Sequence, residues 1–348
     1  MISFSDKIII SILACLLLLS TGFAGCIVKN NETPGQIPVI QKLINQALPG
    51  DIIHIPSGTY YENIIINKSI TLRGESAVST IIDGNHSGTA ITITAEKVEV
   101  SGFTIRNCDS GYYDSGVYIT ANSTRISNVT ILNNTNIGIY LEKSHHTSIT
   151  DNTIYSSIMG IYIWQSSNNT INKNTILGNQ NGIFLRISPN NIIEKNTIYN
   201  TTLYGFYTTH MSENNSILNN VFRWNNYSVY IGSPQCKVIG NILENNSVGI
   251  NLKGSKGSVV YNNKLYYNNM GVFICCAANN NIIYYNTFIK NSKWDAYDPF
   301  NNQWDNGTVG NYWSNYTGFD SNNDGIGDIP YNITGGNGRD RYPLMKPT

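Results

Sequence analysis

Along most of the chain, apolar and polar positions alternate in runs of four to six residues, and Asn, Gly or Ser closes each run. A period of two marks a strand with one buried face. The runs also repeat as a set. Asn152-Thr153-Ile154, Asn174-Thr175-Ile176 and Asn196-Thr197-Ile198 stand 22 residues apart, and the series continues through Asn220, Asn241, Asn263 and Asn286. In step with it run Gly138-Ile139-Tyr140-Leu141, Gly160-Ile161-Tyr162-Ile163 and Gly182-Ile183-Phe184-Leu185. The second series goes on through Tyr207, Tyr230, Asn251 and Phe273. A fixed period of this size predicts a solenoid, in which each repeat packs on its neighbours.

A coil of about 22 residues holds three short strands and three turns, which is one rung of a parallel β-helix with strands stacked about 4.8 Å apart. The fold class is therefore all-β. The Asn column predicts a turn whose side-chain amides bond to one another up the stack. Open ends of such a stack recruit other chains unless they are covered. Val39–Ala47 predicts a short capping helix with Val39, Leu43 and Ile44 on its inward face. From Trp294 the repeat gives way to an aromatic-rich segment, the expected second cap. The resulting division is an export signal at 1–26, a linker at 27–35, the β-helix at 36–293 and the C-terminal cap at 294–348.

Composition narrows the function classes. The chain has 22 basic and 22 acidic side chains, so it lacks the basic footprint of a nucleic-acid binder. Charged residues are 13%, while 51 asparagines and 23 tyrosines fill the difference, a composition suited to turns and strands rather than to a disordered chain. Lys7, the apolar run Ile8–Leu19 and the small residues up to Cys26 read as an export signal. Ala24-Gly25-Cys26 resembles a lipobox, which makes Cys26 the lipidation site; an uncleaved anchor and simple secretion are the alternatives. All three place the remaining chain outside the cytoplasm. Pairing among Cys108, Cys236, Cys275 and Cys276 stays open, and adjacency on a strand sends Cys275 and Cys276 to opposite faces, one of them into the core.

The segment PGDIIHIPSGTYYENIIINKSITLRGES, the Gly-Ile-Tyr rungs and the tail GNYWSNYTGFDSNNDGIGDIPYNI with DRYPLM resemble the NosD-like β-helix proteins over roughly residues 36–345. The resemblance implies a right-handed parallel β-helix outside the cell. Founding members of that family serve copper-site maturation of nitrous oxide reductase. Copper needs imidazole or soft ligands, and His145-His146 and His210-Met211 are the candidate pairs. They fall about three rungs apart, roughly 14 Å, too far to share one ion. The copper role is therefore not carried over by residue.

Calcium is the cation the sequence favours. In the tail loop, Asp320, Asn322, Asp324, the Ile326 carbonyl and Asp328 occupy the oxygen-donor positions of the first part of a calcium loop, and Gly325 permits its turn. Position 12 is Tyr331, where such loops carry a bidentate glutamate. Cleavage of a polysaccharide needs carboxylates in pairs. The rung acids occupy different columns, and Asp151 aligns with Lys173 and Lys195 as an expected surface ion pair. Asp109 and Asp114, and the cap residues Asp295, Asp298 and Asp305, are the remaining acidic candidates.

The repeat also sends one residue of each Gly-Ile-Tyr-Leu strand outward. This gives a column of Tyr140, Tyr162, Phe184, Tyr207 and Tyr230, with Glu142, Trp164 and Arg186 two residues along. Exposed aromatic faces beside polar groups suit sugar rings or a protein partner, whereas mutual stacking is the competing use of the same rings. The expectation is a membrane-tethered, non-catalytic protein binding polysaccharide or glycoprotein of the cell envelope. An accessory role for an extracytoplasmic protein partner, or polysaccharide cleavage, are the alternatives.

Overall fold

The structure is a computed structural model that describes residues 39–108, 111–134, 136–209, 211–300 and 302–348. The export segment, Cys26 and the linker at 27–35 lie outside the described residues, as do Asp109 and His210. Three parallel sheets of 11, 12 and 11 strands wrap around one core. They begin at Ile52–Ile55, Gly58–Tyr61 and Ile64–Ile66, and each strand pairs in register with its counterpart one coil on. Ile149 over Ile171 over Ile193 in the first sheet, and Ile154 over Ile176 over Ile198 in the second, show how the 22-residue period becomes apolar columns. All six side chains are fully buried.

The turns explain the asparagines. Between the first and second sheets one residue takes positive φ, as in Asn128, Asp151, Lys173, Lys195, Asn219 and Asn262. Asparagine and aspartate tolerate this region better than most residues. The next residue is the ladder asparagine, except after Asn128, where Val129 follows and its amide donates to Asn152 Oδ1. The Asn174 amide N–H and Nδ2 both donate to Asn196 Oδ1 at 2.9 Å, and the Asn196 amide N–H and Nδ2 donate to Asn220 Oδ1 at 2.9 and 3.0 Å. The chain of bonds runs from Asn152 to Asn311. Two further ladders stand at the other corners, one through Asn225, Asn246, Asn268 and Asn291 and one through Asn169, Asn191 and Asn215. In the first of these, Ser157 stands where an asparagine would continue the stack. Asn134 Nδ2 and Ser157 Oγ are both buried there without a partner, because the serine is too short to span the rung.

The glycines of the Gly-Ile-Tyr motif have a packing cause. A Cβ on Gly182 would meet the Gly205 carbonyl at 2.4 Å and Ile198 Cγ2 at 3.0 Å, so glycine lets the backbones of successive coils approach this closely.

Helix α1 (Val39–Gln46) closes the first coil, with Ile44 and Ala47 inward as expected but with Ile40 in place of Val39 and Leu43. Ile40 and Ile44 point into the core and Ala47 joins them, while Val39 and Leu43 are exposed. The buried Glu62 decides the orientation, since its carboxylate accepts from the Ile40 and Gln41 amides at 3.0 Å and fixes the helix start. At the other end the coil outlasts the boundary expected at residue 293. Trp294–Tyr297 pairs onto the third sheet and Tyr312–Trp313 onto the second. Aromatic residues replace aliphatic ones there without ending the strand pattern, which is why the repeat fades from the sequence first. Trp304 and Trp313 are buried, and Trp313 stacks on Phe288 at 4.4 Å between ring centroids and on Tyr331 at 4.2 Å.

Candidate binding face

The outer surface of the third sheet carries the aromatic column. Register stacks Tyr118, Tyr140, Tyr162, Phe184, Tyr207 and Tyr230 one above the next. From Tyr118 to Phe184 successive ring centroids are 5.1 Å apart and within 17° of parallel, and Phe184 to Tyr207 is 4.8 Å. Tyr230 turns edge-on to Tyr207, Tyr204 stacks on Tyr207, and Asn251 interrupts the row before Phe273 and Tyr297 resume it.

This geometry corrects the expectation of open aromatic faces. The strand spacing nearly equals the stacking distance of aromatic rings, so each ring covers its neighbour. Tyr140, Tyr162 and Tyr230 are only 2%, 6% and 7% exposed. Phe184 and Tyr207 are half-buried, as is Trp164, which packs on the same cluster, and Arg186 is exposed. Flat stacking of a sugar on the buried rings is excluded. What the face offers is a ridge of ring edges and hydroxyls, flanked by the column Glu142, Trp164, Arg186, Thr209 and Lys253.

Ridge and flank are joined. The Tyr118 hydroxyl donates to Glu142, and Lys253 Nζ lies 5.8 Å from the centre of the Tyr230 ring. Burial raises the Tyr162 phenol, and Arg186 opposes that shift; burial also raises Tyr230, opposed by Lys253. The hydroxyls are therefore neutral donors and acceptors at any physiological pH, set among fixed charges of both signs. Glu142 was expected in the flanking column beside Trp164 and Arg186, whereas Tyr118 and Lys253 escaped the sequence reading. The signal for Tyr118 was present in Ser115-Gly116-Val117-Tyr118-Ile119, one rung earlier than the series was begun.

The acids serve the scaffold. Asp83 pairs with Arg106 at 2.7 Å, Glu244 with Arg223 at 2.9 Å and Asp305 with Arg341 at 2.5 Å. Asp298 accepts from the Phe300 and Asn302 amides and from Trp304 Nε1. The ion pair expected of Asp151 with Lys173 and Lys195 is not formed among the described residues, since the positive-φ turn sends all three side chains into solvent. The expectation for the cysteines also changes: Cys275 is half-buried and Cys276 exposed, so neither enters the core, which instead takes Cys108 and Cys236.

In the tail loop, Asp320, Asn322, Asp324 and Asp328 bend over their own backbone. Asp320 accepts from the Asp324 and Gly325 amides at 3.2 and 2.8 Å, Asp328 from Ser321 at 2.9 Å, and Asp324 from Ile326 at 2.9 Å. Hydrogen bonds from Ser321 hold Asp328 below the usual carboxylate range. Among the described residues no three His, Cys, Asp or Glu side chains are gathered around a common point. His145 Nδ1 is engaged by Ser167 Oγ at 2.9 Å.

Residues 115–265 match the right handed beta helix region model, and residues 225–318 match the model of the periplasmic copper-binding protein NosD. A cell surface glycoprotein of Methanothermus fervidus is 34% identical over 115 residues, which is 32% of this chain and 19% of the relative. The probable ABC transporter binding protein NosD of Stutzerimonas stutzeri is 35% identical over 75 residues, 21% of this chain and 17% of the relative. The chain thus spans less than a fifth of the length of either. The mannuronan C-5 epimerase AlgE4 A-module of Azotobacter vinelandii shares the fold, with TM-score 0.58 at 12% identity over 76% of this chain and 85% of that one. Register and turn ladders make the chain a parallel β-helix, and over residues 115–318 these matches make it similar to right-handed β-helix proteins of the NosD type.

Proposed function

We propose that the chain is a non-catalytic envelope protein, tethered at the membrane through lipidated Cys26, whose third sheet docks a carbohydrate polymer of the cell surface. The observation that carries this reading is the outer face of that sheet, where a straight ridge of tyrosine edges runs beside Glu142, Trp164, Arg186 and Lys253. The five steps from Tyr118 to Tyr230 cover roughly 24 Å at the strand spacing. A linear chain of hydroxylated rings laid along the axis meets hydrogen-bonding groups at every rung, with Trp164 and Phe184 as the apolar contacts. The glycoprotein relative and the carbohydrate-acting fold neighbour are consistent with such a partner.

The test is equilibrium binding of the full chain to a panel of polysaccharides and envelope material, with calcium present. Trp164→Ala and Arg186→Ala are expected to weaken binding about tenfold each, as loss of a desolvated anchor does, with the polymer left intact. Binding to no polymer, or equal binding by both variants, overturns the reading. An extracytoplasmic protein partner is the second reading, favoured by the NosD match over 225–318, and would show as co-purification with a transporter or oxidase component.

The tail loop is read as a structural calcium site formed by Asp320, Asn322, Asp324, the Ile326 carbonyl and Asp328. With position 12 occupied by Tyr331, affinity falls in the weak range of about 10⁻⁴–10⁻³ M. Calorimetric titration should give saturable heat that Asp320→Ala and Asp324→Ala abolish. Absence of heat from the native chain would sink the assignment.

A further inference from the structure

Cys275 ends the strand Met270–Cys275, and a regular strand would send the next side chain to the opposite face. Here Cys276 and Ala277 both take positive φ, at 59° and 60°, and the chain turns out of the sheet. The turn swings the Cys276 side chain back, and its Sγ lies 3.3 Å from that of Cys275. Both are free thiols, Cys276 exposed and Cys275 half-buried. Lys253 pairs with Cys275 in register on the preceding coil. Burial and the neighbouring Cys276 thiol push Cys275 up to about 11, with Lys253 opposing only in part, so the exposed Cys276 is the thiol that attacks first. The other two described cysteines, Cys108 and Cys236, are fully buried, and burial pushes Cys236 up to about 12.

From this juxtaposition we infer that Cys275 and Cys276 form a vicinal dithiol site that closes reversibly by exchange with small-molecule disulfides. Cys276, the exposed thiol, loses its proton to solvent and attacks one sulfur of the external disulfide, releasing one thiolate. Cys275 then loses its proton and attacks Cys276 Sγ, releasing the second. In sum, one external disulfide and two cysteine thiols become one protein disulfide and two external thiols. Two electrons pass from the cysteines to the external disulfide.

Reversibility follows from chain geometry. Adjacent Cα atoms are about 3.8 Å apart across a trans peptide, below the roughly 4.4–6.8 Å that bridged cysteines span. A bridge between neighbours is therefore strained and, on the surface, reducible, the kind that responds to its surroundings rather than staples a fold. Closure needs only a small approach of the sulfurs, from 3.3 Å to about 2.05 Å. The site stands independently of the polymer-binding reading.

The full chain is incubated with oxidised and reduced glutathione at graded ratios, quenched with an alkylating agent, and read by intact mass and peptide mapping. The native chain should lose two hydrogens within the peptide holding Cys275 and Cys276, regain them in excess reduced glutathione, and keep Cys108 and Cys236 as thiols. Cys275→Ser should retain a glutathione adduct on Cys276, and Cys276→Ser should react at least tenfold more slowly. A lasting glutathione adduct on the native chain, or both thiols untouched at the most oxidising ratio, overturns the inference. The native-chain measurement decides the matter even if a variant fails to fold.

Discussion

Asn196→Leu is expected to destabilise the β-helix by roughly 2–9 kcal/mol, counting two to three buried polar groups left unpaired at about 1–3 kcal/mol each. Asn196 is 1% exposed, and its amide holds three neighbours at once. Oδ1 accepts from the Asn174 amide and from Asn174 Nδ2, and Nδ2 donates to the Ile171 carbonyl at 2.8 Å and to Asn220 Oδ1. Leucine has the same branching and supplies none of these bonds. Water cannot reach the site to replace them. Each coil packs only on its neighbours, so the damage should be local. Hydrogen exchange should quicken first at the Asn174 amide, which loses its acceptor, with coils beyond the neighbours protected. Asn196→Ser should also destabilise, since Ser157 at the equivalent place in the second ladder leaves both Asn134 Nδ2 and its own Oγ without a partner. Equal unfolding midpoints for the native chain and the leucine variant would refute a structural role for the ladder.

This ladder was legible because a solenoid writes its geometry into the sequence at fixed intervals. Asn152, Asn174 and Asn196 occupy one turn, and nothing but stacking explains a polar residue that recurs between apolar strands. The other two corners were harder to read. Serine and threonine replace asparagine at Ser157, Thr201 and Ser258, and coils of 21 to 25 residues shift the spacing. The aromatic column was legible as a column and misleading as a surface. Sequence fixes which side of the sheet Tyr162 takes, but exposure depends on the distance between rungs, a quantity of the fold. At 5.1 Å between centroids the rings hide each other. The helix shows the same limit. Val39, Leu43, Ile40 and Ile44 are all apolar, and the choice between two faces rests with Glu62, a residue 22 positions from Ile40. Cys275 and Cys276 were misplaced because a single positive φ overrides strand alternation.

The C-terminal cap should become more stable as pH falls from 7 to about 4, and Asp340 is the cause. Its carboxylate is fully buried and accepts from the Asn311 amide at 2.6 Å, Trp313 Nε1 at 2.8 Å and the Tyr342 amide at 3.1 Å. Burial raises its pKa from 3.8 to about 6, and those bonds only partly offset the rise. Because the folded state holds this proton more tightly than the unfolded chain, the stabilisation is complete below about 3.8 and is lost as pH rises through about 6. That gap corresponds to about 3 kcal/mol. Asp295, raised by burial, acts in the same direction. Asp305 acts oppositely and in a lower window: burial alone would raise it, but Arg341 holds it below its ordinary value, so its contribution is lost only as pH falls below about 4. The two windows separate the groups. Unfolding followed by the fluorescence of Trp304 and Trp313 should give a maximum of stability near pH 4 to 5. Asp340→Asn, which keeps an acceptor and removes the charge, should flatten the curve between pH 4 and 7. Asp340→Leu should lower stability at every pH, since the Asn311 amide and the Trp313 indole are then buried without a partner. Gly310 permits no side chain against this carboxylate: a Cβ there would sit 1.6 Å from Asp340 Oδ1, so Gly310→Ala should disrupt the same cap by displacing the acceptor. A native curve that climbs from pH 4 to 7 would show that the hydrogen bonds outweigh burial and that Asp340 stays ionised in the cap.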